Sequence, residues 1–163
     1  MPDVIESLAR AIHDGYVRRH PPGSAREDPS TNPWETLPET LRASNRHQAA
    51  DIEAKLRAIS CEAVESPGTA QVVDEFDDAE IERLAEIEHD RWTAERLADG
   101  WTSGAVKDVD AKRSPFLVPW ADLSEQARDL DRDAVRQIPR VLAAIGFTVV
   151  RRPATGVDRP SAP

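Results

Sequence analysis

The chain carries one pattern twice, and this duplication limits the folds that it can adopt. The segment from Ile5 to Tyr16 recurs 76 residues later as Ile81 to Trp92, with six of its twelve positions identical. The pattern Pro-Trp-x-x-Leu-x-Glu at 33–39 recurs at 119–125, and matching arginine and aliphatic positions follow both copies. A pattern repeated at this spacing indicates two structurally equivalent units.

The duplication predicts an α+β, mainly helical fold of two pseudo-symmetric helix-rich repeats with short β-strands. We place a degenerate first repeat at 3–64, a linker at 65–76, a second repeat at 77–151 and a disordered tail at 152–163. A unit of about 75 residues is marginal for a hydrophobic core of its own. The two repeats are therefore expected to form one compact unit.

Apolar spacing and capping residues predict the individual elements. Helices are expected at 3–19 after Asp3, 46–59 after Ser44 or Asn45, 79–98 after Asp77 or Asp78, 121–128, and 132–145 after Asp131. Pro139 is expected to kink the last helix or to break it earlier. Strands are expected at 61–64 and 147–150, which could pair with each other or with extended segments.

Composition excludes several classes of function. The net charge of −9 argues against a nucleic-acid polymer as partner, although a local basic pocket for a small anion stays open. The single cysteine excludes an internal disulfide and a cysteine-based zinc site. No apolar run reaches the length of a membrane span, and the first residues lack a signal-peptide pattern. We therefore expect no membrane partner and a cytoplasmic location.

The second half carries a sparse set of aromatic, histidine, glycine and proline positions. These are Leu84-Ala85-x-x-x-His89-x-x-Trp92, Gly100-Trp101-Thr102-Ser103-Gly104, Lys112-Arg113-Ser114-Pro115-Phe116-Leu117-Val118-Pro119-Trp120-x-x-Leu123 and Leu142-x-x-Ile145-Gly146-Phe147. In this order they closely resemble the RyR repeat, a module named after ryanodine receptors and similar to modules in bacterial proteins, alone or fused to other domains. The resemblance covers residues 81–151 well. It covers 5–64 less fully, because the Gly-Trp-x-x-Gly element is absent there.

The resemblance implies a small helix-rich repeat whose tandem pair forms a pseudo-two-fold unit. It implies a peripheral regulatory module rather than an enzyme, since receptor repeats can bind adenine nucleotide and bacterial relatives have been suggested to sense nucleotide-derived signals. The calcium-channel function of the receptors is not implied, because nothing here resembles their pore or calcium machinery.

Four tryptophans are candidates for ligand contact. Trp92 and Trp120 have aromatic counterparts in the first repeat, at Tyr16 and Trp34, which is typical of core positions. Their indole N–H groups could still reach a ligand. Trp101 has no counterpart and lies between glycines. It either covers the core or offers a stacking surface.

Basic residues follow Trp101 in an otherwise acidic chain. Lys107, Lys112 and Arg113 form either a solvated loop or a phosphate-binding cluster, which Arg91 could join. Arg46 and Arg132 recur at one repeat position and favour a structural carboxylate partner over an anion contact.

The pairs His13-Asp14 and His89-Asp90 also suggest a metal-dependent phosphohydrolase, with His47 and Asp131 as further ligands. A single metal centre does not explain a pair that occurs in both repeats. A structural role, with the ring N–H bound to backbone, therefore explains His89 better, and direct ligand contact by His89 stays open.

We conclude that the sequence favours a non-catalytic module that binds a nucleotide or nucleotide-derived ligand, as a sensor, regulator or sequestering protein. The expected ligand contacts are His89, Arg91, Trp92, Trp101, Lys107, Lys112, Arg113 and Trp120, with no cofactor or metal. Two alternatives stay open: a protein–protein interaction module, with another protein or a second copy as partner, and the His-Asp phosphohydrolase.

Overall fold

A computed structural model describes residues 3–21 and 29–153 of the protein. Within these ranges the elements are α1 (Val4–Arg19), α2 (Glu39–Ala58), β1 (Cys61–Val64), α3 (Asp78–Ala98), β2 (Thr102–Ser103), β3 (Arg113–Ser114), α4 (Glu125–Arg136), α5 (Ile138–Ala144) and β4 (Thr148–Arg151). Single 3₁₀ turns lie at Pro29–Thr31, Trp34–Thr36 and Trp120–Asp122. The fold is α+β and mainly α, as the sequence predicts. The tail predicted at 152–163 lies outside the described residues from 154 onward.

The first and third helices begin where capping residues predict. Asp3 accepts a hydrogen bond from the Ile5 N–H at the start of α1. At the start of α3 the Glu80 N–H donates to Asp77, while the Asp77 N–H donates to the Glu80 carboxylate, which together form a capping box. Gly100 follows the end of α3 with a φ of +84°, a conformation that glycine adopts without steric cost.

The predicted starts of two other helices are wrong. Helix α2 begins at Glu39, so Ser44 and Asn45 lie inside it rather than at its cap. Helix α4 begins after Ser124, whose hydroxyl accepts the Ala127 N–H, and it runs through Asp131. The expected short helix at 121–128 and the first part of the helix at 132–145 are therefore one element.

The helix predicted around Pro139 is interrupted just before the proline. This earlier break is one of the two predicted outcomes. Helix α4 ends at Arg136, and α5 starts at Ile138 with the proline in its first turn. Proline lacks the N–H that a helix interior needs, but the first turn leaves that N–H without a helical partner anyway.

Strands β1 and β4 join the two halves of the chain. They pair antiparallel, with Cys61 opposite Arg151 and Val64 opposite Thr148, which was one of the two pairings predicted. Helices α1 and α2 pack together, α3 packs on α4, and α5 contacts α1. The main core collects buried side chains from both halves, among them Leu8, Trp34, Leu56, Leu84, Val135, Leu142 and Val149. In the described ranges no helix combines the length and the low polarity that crossing a bilayer requires.

Corresponding histidines make the same backbone contact in each half. The Nε2 of His13 lies 2.7 Å from the carbonyl oxygen of Asn32, and the Nε2 of His89 lies 2.7 Å from that of Val118. A carbonyl oxygen only accepts, so each ring donates its Nε2–H. This is the backbone hydrogen bond predicted for a structural histidine.

Further contacts recur between the halves. The rings of His13 and Trp34 lie 5.9 Å apart at 54°, and those of His89 and Trp120 lie 5.9 Å apart at 53°. The predicted structural arginines pair with carboxylates at corresponding positions, Arg46 with Glu6 at 2.7 Å and Arg132 with Glu82 at 2.8 Å. These contacts support two equivalent halves, whose superposition stays a prediction.

Candidate functional site

One face of α3 carries a column of stacked side chains. His89, Trp92 and Arg96 are spaced by three and four residues, so they share a helix face. The ring centroids of His89 and Trp92 lie 6.0 Å apart at 27°, and the Arg96 guanidinium carbon lies 5.7 Å from the Trp92 ring. The guanidinium also lies 5.3 Å from the ring of Trp101. With Trp120 on the other side of His89, these five residues form what we call the aromatic column.

A small cleft opens beside this column, between α3 and α4. Its volume is about 170 Å³. Ala127 contributes only a methyl group to the side formed by α4. The lining residues are His89, Trp92, Phe116, Leu123, Ala127, Leu130 and Asp131.

The polar end of the small cleft is a pair formed by an imidazole and a carboxylate. The Nδ1 of His89 lies 3.5 Å from an oxygen of Asp131, and the two side chains are 3% and 20% exposed. The opposite ring nitrogen of His89 already donates to Val118. Nδ1 is therefore the ring nitrogen that faces the carboxylate, and a proton on it donates to Asp131.

The carboxyl group of Asp131 is difficult to ionise in this setting. Burial raises its pKa, and the negative charge of Glu88 raises it further, while His89 and Arg91 act in the opposite direction; the pKa reaches about 6. A raised pKa in a cleft is typical of functional sites.

A second, wider cleft also borders His89 and has a volume of about 420 Å³. Its polar lining comes from Asp90 and from the hydroxyl groups of Thr93, Thr102 and Ser103. His89 lines both clefts.

The structure brings part of the predicted basic cluster to Trp101. The Trp101 indole N–H donates to Asp99 at 3.3 Å, and the Lys112 ammonium donates to the Asp99 carbonyl oxygen at 2.7 Å. Arg113 lies in β3, which pairs with β2 directly after Trp101. Lys107 is exposed in the loop between these strands.

Arg91 points away from both clefts, into an ion-pair network between α2 and α3. It donates to Glu88 at 2.8 Å and to Glu95 at 2.6 Å. Glu88 also pairs at 2.7 Å with Lys55, which is 1% exposed. Burial alone would raise the pKa of the Glu88 carboxyl, but Arg91 and Lys55 outweigh it and hold the pKa below its usual range.

Of the residues of the phosphohydrolase hypothesis, His89 and Asp131 come within 3.5 Å of each other, but the others have different surroundings. His47 lies 3.7 Å from Glu95, Asp131 faces His89, and Asp90 is exposed. In the ranges that the structure describes, no group of three or more histidine, cysteine or acidic side chains is arranged to hold a metal ion.

The first half differs at the positions that form the small cleft. Leu41 corresponds to Ala127, and Asn45, which corresponds to Asp131, donates its amide to the Leu41 carbonyl oxygen. Tyr16 corresponds to Trp92 and stacks on His20 with 4.3 Å between ring centroids. Asn45 and Tyr16 thus have partners within the first half, and Tyr16 also lines a separate cavity of about 80 Å³ between the two halves.

The prediction from sequence lacks Arg96, the cation of the aromatic column. It also lacks the side chains of α4 that line the small cleft. Arg96 could have been found, because it follows Trp92 by one helical turn. The sequence pattern presents Asp131 as a helix cap or a metal ligand, not as a residue of a cleft. Ala127 and Leu130 give no signal in a single sequence, since both residue types are ordinary in helices.

A family model for the RyR domain matches residues 70–151, half of the 163-residue chain. The match begins in the predicted linker and ends with β4, so it contains the aromatic column and both clefts. The chain therefore belongs to the RyR domain family.

Proposed function

We propose that this protein binds a nucleotide or nucleotide-derived small molecule without chemical conversion, as a sensor, regulator or sequestering module. The small cleft beside the aromatic column is the observation that carries the proposal. It combines aromatic walls with a polar pair at one end, the combination that binding pockets use to hold and orient a ligand.

The dimensions of the small cleft suit one part of such a ligand. Its 170 Å³ is below the roughly 300–1,000 Å³ of pockets that enclose a whole drug-sized molecule. A nucleobase would enter, with Trp92 and Phe116 as its apolar contacts. Base–aromatic stacking contributes about 1–3 kcal/mol per base.

The sugar and phosphate would then extend along the aromatic column. Arg96 lies between Trp92 and Trp101 and has no carboxylate partner among the described residues. Arg113 and Lys107 are exposed nearby and likewise have none within those ranges. Unpaired guanidinium groups are suited to phosphate, because their charge is not already neutralised by the protein.

A protein–protein interaction module is the second candidate. Apolar side chains are exposed around the β2–β3 loop, where Val106 is 74% and Val109 is 63% exposed. Exposed apolar side chains that cluster can mark a docking surface. This candidate predicts no stabilisation by any nucleotide.

The test is isothermal titration of the full chain with purine and pyrimidine nucleotides, supported by thermal shift. We expect binding by the wild-type chain, and roughly tenfold or greater weakening in Arg96→Ala and Trp101→Ala. Arg57→Ala is the matched control, because Arg57 is an exposed helical arginine on α2; its affinity should equal that of the wild type. Native mass spectrometry of protein from its own host would identify a co-purifying ligand. Absence of binding across the panel, with no co-purifying molecule, contradicts the proposal.

A further inference from the structure

The polar end of the small cleft presents acceptors. His89 commits its Nε2–H to Val118 and turns Nδ1 toward Asp131, 3.5 Å from a carboxylate oxygen. Besides His89, no hydrogen-bond or ion-pair partner of the Asp131 carboxylate is found in the described part of the chain. A carboxylate can accept about four hydrogen bonds, so most of this acceptor capacity is left for the N–H groups of a ligand.

Resting on the function proposed above, we infer that the His89–Asp131 pair selects a base with two adjacent N–H donors, as on the Watson–Crick edge of guanine. The guanine edge offers N1–H and the N2 amino group side by side, which complements a carboxylate. The adenine edge offers one amino group beside N1, an acceptor that would face the carboxylate. This inference departs from the adenine preference that the family resemblance implies.

Ionisation of Asp131 gives the inference a pH dependence. The charged groups with the largest effect on this carboxyl lie on α3: Glu88 raises its pKa, whereas His89 and Arg91 lower it. With a pKa of about 6 the carboxyl is mostly ionised at pH 7.5 and mostly protonated at pH 5. A protonated carboxyl has lost an acceptor, so the preference for guanine should fall by about tenfold between these pH values.

The experiment compares GMP and AMP by titration calorimetry at pH 7.5 and pH 5, and XMP at pH 7.5 alone, because the xanthine base itself loses a proton between these pH values. The nucleotides share ribose and phosphate, and their phosphates titrate alike, so affinity ratios at one pH isolate the base. We expect GMP to bind the wild type at least about tenfold more tightly than AMP at pH 7.5. Asp131→Asn should weaken GMP by a similar factor and favour XMP, because the asparagine amide donates to the C2 carbonyl while its oxygen accepts N1–H.

The matched control is Asp133→Asn, an exposed aspartate on the same helix, which should leave the ratios unchanged. Asparagine is also the residue at the corresponding position 45, inside α2, so the substitution suits a helix at this position. Equal affinity of the wild type for AMP and GMP, or affinity ratios that Asp131→Asn leaves unaltered, would overturn this inference but not the proposed function. Failure of every nucleotide to bind the wild type would overturn it together with the proposed function.

Discussion

Replacing Ala127 with leucine is expected to abolish nucleotide binding while the fold persists. The added side-chain carbons would occupy the small cleft, so the base could not enter between Trp92 and Phe116. Loss of stacking and of the contacts to Asp131 together should weaken affinity at least about a hundredfold. Titration calorimetry measures the loss, and circular dichroism melting reports the fold.

The first half of the chain supports the expectation that this variant folds. Leucine occurs there naturally at position 41, which corresponds to Ala127, inside a helix of the same kind. Gln126→Leu is the matched control, since it introduces the same side chain at an exposed position on α4. Unchanged affinity in a folded Ala127→Leu protein would show that the ligand lies elsewhere.

Replacing Lys55 with alanine is expected to cause the largest loss of stability. Its ammonium is buried between Asp51 and Glu88, at 2.8 and 2.7 Å. Removal leaves Glu88 buried with Arg91 as its remaining cationic partner. Removing one partner of a buried ion pair lowers the free energy of unfolding by about 3–5 kcal/mol. Because Arg91 still pairs with Glu88, we expect a loss at the lower end, about 3 kcal/mol. Urea unfolding followed by tryptophan fluorescence measures it.

Two further variants separate this effect from simple truncation of a side chain. Arg57→Ala removes an exposed pair with Glu53 on the same helix, and exposed pairs contribute about 0–1 kcal/mol. In the double variant Lys55→Met with Glu88→Gln, both charges are removed together, so the loss should be smaller than the sum of the single losses. If Lys55→Ala lowers the free energy of unfolding by no more than Arg57→Ala does, the ion-pair network between α2 and α3 does not stabilise the fold.

The sequence predicts the general fold well because repeated positions have repeated contacts. The capping signals at Asp3 and Asp77 identify α1 and α3, since among the described residues no other hydrogen bond or ion pair involves those carboxylates. The same reasoning fails at Asn45 and Asp131. Polar residues of this type favour helix caps, but here each lies inside a helix, where Asn45 bonds to Leu41 and Asp131 faces His89.

The candidate site is harder to predict from one sequence than the fold. Aromatic residues and arginines attract notice, and Trp92, Trp101 and Trp120 are indeed in one column. Arg91 also attracts notice, yet the buried Glu88 holds it in the network between α2 and α3. The burial of Lys55 is not predictable from residue type, because lysine is almost never fully buried unless it is paired. The two halves differ at several of the positions that form the cleft, among them Ala127 and Asp131.

The most direct test of the account uses the indole N–H signals of the four tryptophans in a ¹⁵N-correlated NMR spectrum. Trp92 lines the small cleft, whereas Trp34 is buried in the first half and serves as an internal reference. We expect saturation with GMP to shift the Trp92 signal strongly and to leave Trp34 in place. A Trp92 signal that stays still at saturation, or a Trp34 signal that moves as far, would contradict the claim that the second half holds the ligand cleft.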